Sequence, residues 1–299
     1  VGKIMPVLKS QYAEVNGIRL HFVSSGQGRL IMFVHGFPEF WFAWKNQLME
    51  FGRDHQAIAP DMRGYNLSAK PAGTEKYHIK DLVEDLRALV EHLGHEKCIM
   101  VAHDWGGAVA WSMAMRHPEW LDRLIIINSP HPAVFARQLL INSDQQKASR
   151  YMLMFRSAEA ERILSDDNYK GLMDVLSQFG SKWEMTAEIR QKYVEAWSQP
   201  GALTASLNYY RASPLYPPTS REDEVRIRSI LNLRPEMLEV KVPTLVIWGE
   251  LDRALLTGNL DGLAEYVDDL TVERISEGTH WVIHERSEQI NFLIRDFIS

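Results

Sequence analysis

The stretch Val101-Ala102-His103-Asp104-Trp105-Gly106-Gly107 sets an aspartate where the apolar run 98–102 meets small residues and then a helix-capable run, 108–111. A carboxylate on such a turn is ionised at neutral pH and needs no base to become a nucleophile. It suits displacement at an sp³ carbon, which leaves an ester on the enzyme, whereas a serine suits attack on acyl carbon with a base's help. Two further residues fit the same chemistry: Asp252 follows "TLVIWGEL" and His280 follows "TVERISEGT". An imidazole there can take a proton from the water that cleaves the ester, and a carboxylate behind it can orient the ring and stabilise its cation. Singly, Asp104 reads equally as a helix N-cap, Asp252 as a turn residue (with Glu250 as a substitute in the same loop), and His280 as one of 11 histidines. Their joint occurrence at three strand ends favours the chemical reading.

Such a constellation needs a scaffold that brings the carboxyl ends of several strands together. "IRLHFVSSG" has period-two character after the Asn16-Gly17 turn signal, and "LIMFVHG", "QAIAPDMRG", "KCIMVAHD" and "LDRLIIINSP" are apolar runs bounded by turn residues. Between them Leu82, Val83, Leu86, Leu89, Val90 and Leu93 recur at helical spacing, with Gly94 as a stop. Strands that are apolar throughout and separated by helices predict an α/β fold, a mostly parallel sheet with helices on both faces. From about Ala133 to Arg234 strand signals vanish and stretches such as "QQKASRYMLMFRSAEAERIL" and "TAEIRQKYVEAWSQ" favour helix; strands resume at "VPTLVIWGELD" and "LTVERISEGTH". The expected organisation is a sheet domain in two parts, 1–132 and 235–299, interrupted by a helical cap, 133–234, that roofs the strand ends.

Composition narrows the function classes. With 299 residues, 45% hydrophobic and 24% charged, the chain has the proportions of a soluble globular protein. A net charge of −6 without a long run of one sign argues against nucleic acid and anionic membranes as partners. The single cysteine, Cys98, excludes an internal disulfide framework and a cysteine metal cluster, and fits a reducing compartment. The amino-terminal stretch lacks a signal-peptide core and no run reaches the length of a membrane span, so the expected location is cytoplasmic. The histidines are scattered without paired ligand spacing, so neither a metal nor another cofactor is expected. His35 and His103 read as structural.

The residues "HGFPEFWFAW" and "HDWGG" resemble the oxyanion loop and nucleophile elbow of the α/β hydrolases that use an aspartate nucleophile, and within them the epoxide hydrolases. The resemblance runs over nearly the whole chain. It implies Asp104 as nucleophile, His280 as base, Asp252 as the acid behind it, and the backbone N–H groups of Phe37 and Trp105 as oxyanion donors. It also implies two cap tyrosines that protonate the opening epoxide, and Tyr151 in "SRYMLMF" and Tyr210 in "LNYYRA" match them; each reads alternatively as an aromatic packed in the cap. Tyr209 should face elsewhere, because adjacent helical residues do not share a face. The implied substrate is a small apolar epoxide, with water, in a pocket lined by Phe37, Trp105, Phe155, Trp183 and Trp281; monomer and homodimer both stay open. Haloalkane and haloacetate dehalogenases share much of the elbow and form the alternative reading. Haloalkane dehalogenases commonly have an asparagine where this chain has Phe37, and the haloacetate enzymes carry arginines where it has Trp105 and Ala108. A catalytically silent binding protein on the same fold is a third reading, and a lost catalytic residue would mark it.

Overall fold

Consecutive apolar residues form the middle of one sheet, as the lack of alternation predicts. The computed structural model describes residues 6–178 and 183–299; the first five residues of the amino-terminal stretch that lacks a signal-peptide core lie outside the described residues. Eight strands among the described residues, β1 (Lys9–Val15), β2 (Ile18–Ser25), β3 (Leu30–Val34), β4 (Gln56–Pro60), β5 (Cys98–His103), β6 (Leu121–Ile127), β7 (Thr244–Gly249) and β8 (Leu270–Ile275), lie in the order β1-β2-β4-β3-β5-β6-β7-β8. The pairs β1–β2 and β2–β4 are antiparallel and the remaining pairs parallel. Every residue of β3, β5 and β7 is buried. Their side chains alternate between two cores: Met32, Val34, Met100 and Ala102 face one, and Ile31, Phe33, Ile99 and Val101 the other.

Helices cover both faces. On the first, α2 (Ile79–His92) buries the stripe Leu82, Val83, Leu86, Leu89 and Val90, and α3 (Trp105–Arg116) buries Val109, Ala110 and Met113. On the second, α1 (Lys45–Phe51) contributes Leu48 and Phe51, and the helix Ser287–Ile298 contributes Ile290 and Ile294. Burying each such apolar side chain contributes about 1.5–3 kcal/mol. Gly94 adopts a left-handed φ of 78° just past α2, where it ends the helix as its position suggested.

Between β6 and β7 the described residues hold helices and no strand: α4 (Pro132–Ile141), α5 (Ser143–Ala148), α6 (Tyr151–Arg156), α7 (Ala160–Gln178), α8 (Ala187–Trp197), α9 (Ala202–Ala212) and α10 (Arg221–Leu231). The stretch that reads as one helical tract, 145–164, belongs to three helices. Asn142 caps α5 by accepting from the backbone N–H groups of Asp144 and Gln145, and α7 is kinked where Asp167, Asn168 and Tyr169 take positive φ. Among the described residues no helix is long and apolar enough to cross a membrane.

The strand order places the functional crevice. β3 lies between β4 and β5, so the chain leaves β3 toward one side and returns on the other. Open α/β sheets bind ligands at such a reversal, outside the carboxyl ends of the strands. Here those ends carry His35, Gly36 and Phe37 after β3, and Asp104 after β5.

Candidate active site

Asp104 occupies the single-residue turn between β5 and α3 with φ 51° and ψ −121°, a conformation that L side chains rarely adopt. Such a backbone costs about 1–3 kcal/mol and persists only where its surroundings hold it. The Ser129 hydroxyl donates to the Asp104 carbonyl at 2.7 Å, and the Ala108 N–H donates to the same oxygen at 3.1 Å. Glycines make the close approach possible. A Cβ on Gly107 would lie 2.3 Å from the Ser129 Cβ, one on Gly106 2.4 Å from the Val34 carbonyl oxygen, and one on Gly36 2.3 Å from the Asp104 Cβ.

Each carboxylate oxygen of Asp104 has its own neighbour. Oδ1 accepts the Phe37 N–H at 2.8 Å, and Oδ2 lies 3.4 Å from His280 Nε2. Trp105, whose N–H is the other expected donor, opens α3 at the next position. The second ring nitrogen, His280 Nδ1, is 2.7 Å from Asp252 Oδ2. Asp252 is itself fixed: Oδ1 accepts the N–H groups of Ala254 and Leu255 at 2.8 and 2.9 Å, and the Asn128 amide donates to Oδ2 at 2.8 Å. Asn128 is braced in turn by the Gly249 N–H, which donates to its Oδ1 at 2.8 Å. Glu250, the substitute weighed for Asp252, pairs with Arg274 at 3.1 Å instead.

The charges on these groups are mutually dependent. Burial of His280 lowers its pKa, but the carboxylates of Asp252 and Asp104 outweigh burial and raise it to about 10. Burial of Asp104 raises its pKa, and His280, His103 and the Phe37 N–H overcome this and hold it below the usual carboxylate value. The resting site is therefore an ionised carboxylate facing a cationic ring.

Above the carboxylate stand two tyrosines. Tyr151, at the start of α6, and Tyr210, on α9, have ring centroids 6.2 Å apart. Phe155 lies 5.3 Å from Tyr151 and 5.0 Å from Tyr210, while Phe37 and Trp105 each meet Tyr210 edge-on at 5.2 Å. Burial, and then the charge of Asp104, raise the pKa of both tyrosines well above 10, so both hydroxyls keep their protons as neutral acids. The Tyr209 hydroxyl points elsewhere, donating to the Arg63 carbonyl at 2.7 Å, although its ring meets Trp105 edge-on at 5.7 Å and the residue lines the cavity that reaches Asp104.

A cavity of about 740 Å³ reaches the carboxylate, with Asp104, Trp105, Tyr151, Phe135, Met152 and Leu255 on its wall. The aromatic lining expected from the sequence is thus only partly right. Trp105 lines the cavity, whereas Phe37 and Phe155 are off its wall and pack instead around Tyr210, which is off that wall as well. Trp281 is off the cavity wall: it is almost fully buried behind the histidine, its ring 4.8 Å from that of His280. Trp183 is off the wall too, stacked at 3.9 Å on His284.

One buried group carries no role in the sequence reading. Glu39, inside "HGFPEF", accepts the Tyr193 hydroxyl at 2.9 Å, lies 2.5 Å from His284 Nε2 and 3.5 Å from His103 Nδ1. Burial raises its pKa, and the His284 and His103 rings overcome this and drive it far below the usual carboxylate range. His103 Nε2 bonds the His280 backbone carbonyl at 2.8 Å, so Glu39 supports the histidine loop from behind. The only signal in the sequence was a charged residue set among aromatics.

Comparison with known proteins agrees with this architecture. Residues 29–287 match the family described as alpha/beta hydrolase fold. The chain is similar to the AB hydrolase superfamily protein YfhM of Bacillus subtilis (strain 168), at 37% identity over 98% of this chain and 99% of that protein. It is also similar to epoxide hydrolase 4 of Mus musculus, at 35% identity over 95% of this chain and 77% of that one. Among solved structures, a Bacillus megaterium epoxide hydrolase in complex with an inhibitor superposes with a TM-score of 0.88 at 39% identity, over 96% of this chain and 99% of that chain.

Proposed function

The chain belongs to the α/β-hydrolase superfamily and, within it, to the epoxide hydrolase family, and from that premise we propose that it adds water to a small apolar epoxide through an ester on Asp104, giving a vicinal diol. Asp104 Oδ2 attacks an epoxide carbon and the carbon–oxygen bond of the ring breaks. The departing alkoxide takes a proton from Tyr151 or Tyr210, acids matched to a leaving group that is strongly basic. The ester has no charge, so His280 loses one of the two carboxylates that keep it cationic, and its proton restores the tyrosine. The neutral ring then takes a proton from water as the water oxygen bonds to Cγ of Asp104. The developing oxyanion on Oδ1 is met by the Phe37 N–H, with the Trp105 N–H as second donor. Collapse of the intermediate breaks the ester, the departing diol oxygen takes up the remaining proton of the added water, and Asp104 and His280 return as carboxylate and imidazolium. The helical segment 133–234 acts as the cap that supplies the tyrosines.

The observation that carries this reading is the pair of cap tyrosines, Tyr210 buried and Tyr151 half-buried with ring centroids 6.2 Å apart, whose protonated hydroxyls accompany an ionised elbow carboxylate. Halide leaves as a stable anion and needs no such acid. Incubation with styrene oxide in parallel with 1-bromobutane and a haloacetate tests it. Diol formation without halide release is expected; halide release without diol would transfer the function to the dehalogenase reading.

A further inference from the structure

We infer that His35 is a positioning residue that aims the oxyanion donor, by holding the Gly36–Phe37 peptide through its carbonyl oxygen. The inference rests on the functional reading above, because the donor it aims is the Phe37 N–H. A peptide unit is rigid, so the Gly36 C=O and the Phe37 N–H turn together. The N–H end points at Asp104 Oδ1, 2.8 Å away. At the other end the Gly36 carbonyl faces two donors, the Glu39 N–H at 3.0 Å and His35 Nδ1 at 2.9 Å.

The ring's other contact fixes which nitrogen carries the proton. The Met62 backbone N–H donates to His35 Nε2 at 3.0 Å, so Nε2 is bare and Nδ1 bears the hydrogen that it gives to Gly36. The ring is fully buried and packs edge-on against Tyr65 at 4.7 Å. Burial lowers its pKa, which keeps it neutral and preserves the acceptor at Nε2. Position 36 cannot hold the peptide with a side chain of its own, since a Cβ there would collide with Asp104. Loss of the His35 bond leaves the peptide freer to rotate about its flanking bonds, and the donor off target when charge develops on Oδ1.

Two variants separate aim from mere packing. In His35→Asn the amide nitrogen overlays Nδ1 and keeps the donor to Gly36, while the Met62 N–H loses its acceptor. In His35→Gln the amide oxygen overlays Nε2 and keeps that acceptor, while Gly36 loses its donor. Each variant gives up one buried hydrogen bond, so their melting temperatures should match. The rate of hydrolysis of the Asp104 ester, measured in single turnover with styrene oxide, should fall about tenfold in His35→Gln and stay near the parent in His35→Asn, with KM little changed in both. Parallel losses in the two variants, or none in His35→Gln, would overturn the assignment. A measurement on the parent decides the matter if a variant does not fold: ¹⁵N shifts of the His35 ring should report the neutral Nδ1–H form at pH 7.5, and an Nε2–H form would refute it. If the parent forms no ester on Asp104, the functional reading fails. If it forms one and His35→Gln hydrolyses it as fast as His35→Asn, only the role of His35 fails.

Discussion

Replacing Asp104 with alanine removes one of the two charges that keep the His280 ring cationic, and the size of the effect follows from the geometry. Unit charges 3.4 Å apart, the distance from His280 Nε2 to Asp104 Oδ2, attract by about 5 kcal/mol in surroundings of effective dielectric near 20. The rise of the His280 pKa from 6.5 to about 10, at 1.36 kcal/mol per pH unit, also amounts to about 5 kcal/mol. The closer carboxylate, Asp252 at 2.7 Å, contributes about 6 kcal/mol, which the burial penalty of a fully enclosed ring roughly offsets. Without the Asp104 charge the ring should therefore titrate near its ordinary value. Formation of the ester removes the same charge, so the ring becomes a base at the step that needs one. Ring-nitrogen NMR of histidine-labelled protein, with the His280 signals identified by their loss in His280→Gln, reads this directly. The parent ring should stay cationic from pH 6 to 9, and the Asp104→Ala ring should lose its proton near pH 6.5. Titration of the two proteins together, or a neutral ring in the parent at pH 8, would refute the electrostatic argument. The same shift has a stability consequence. Because the folded value is raised, the His280 contribution is fully present below pH 6.5 and is lost as pH rises to about 10, so urea-denaturation stability should fall across that window by about 5 kcal/mol more in the parent than in His280→Gln.

Changing Tyr151 and Tyr210 together to phenylalanine should slow alkylation, followed by quenching of Trp105 fluorescence, by far more than either single change, and should leave ester hydrolysis nearly intact; near-parental alkylation in the double variant would remove the tyrosines from the mechanism. Asp85→Ala strips the buried Arg63 guanidinium of two bonds of 2.7 Å and should cost about 3–5 kcal/mol in urea denaturation, with a loss under 1 kcal/mol counting against a tight buried pair. Gly107→Ala drives a Cβ to 2.3 Å from the Ser129 Cβ and should cost about 1–3 kcal/mol together with most of the alkylation rate. Full activity in that variant would mean that the elbow is looser than its geometry implies.

The elements that position the nucleophile were legible in the sequence because they are buried on both faces: β3, β5 and β7 read as unbroken apolar runs for that reason. The edge strand β1 was not read, since in "KSQYAEV" only Ala13 and Val15 face the core and the rest is exposed. The positions of Asp104, Asp252 and His280 at strand ends followed from turn chemistry, and the described structure brings the three together. The supporting residues were harder. Asn128 gives no local signal of a role, yet its amide braces Asp252 from the neighbouring strand end, a relation that strand order alone reveals. Trp281 was expected on the pocket wall, but residues consecutive with a site histidine diverge in direction and it lies behind the ring. Trp183 and Glu39 belong to contacts between the inserted helices and the sheet domain, and no local pattern encodes such partners.

The covalent ester is the central claim, and intact-protein mass spectrometry of His280→Gln incubated with styrene oxide tests it most directly. General-base assistance is worth about 10²- to 10⁴-fold, so hydrolysis should stall while alkylation proceeds. The protein should gain the mass of one styrene oxide, and peptide mapping should place the addition on Asp104. An unmodified mass in a variant that still binds substrate, or an adduct on any other residue, would contradict the account.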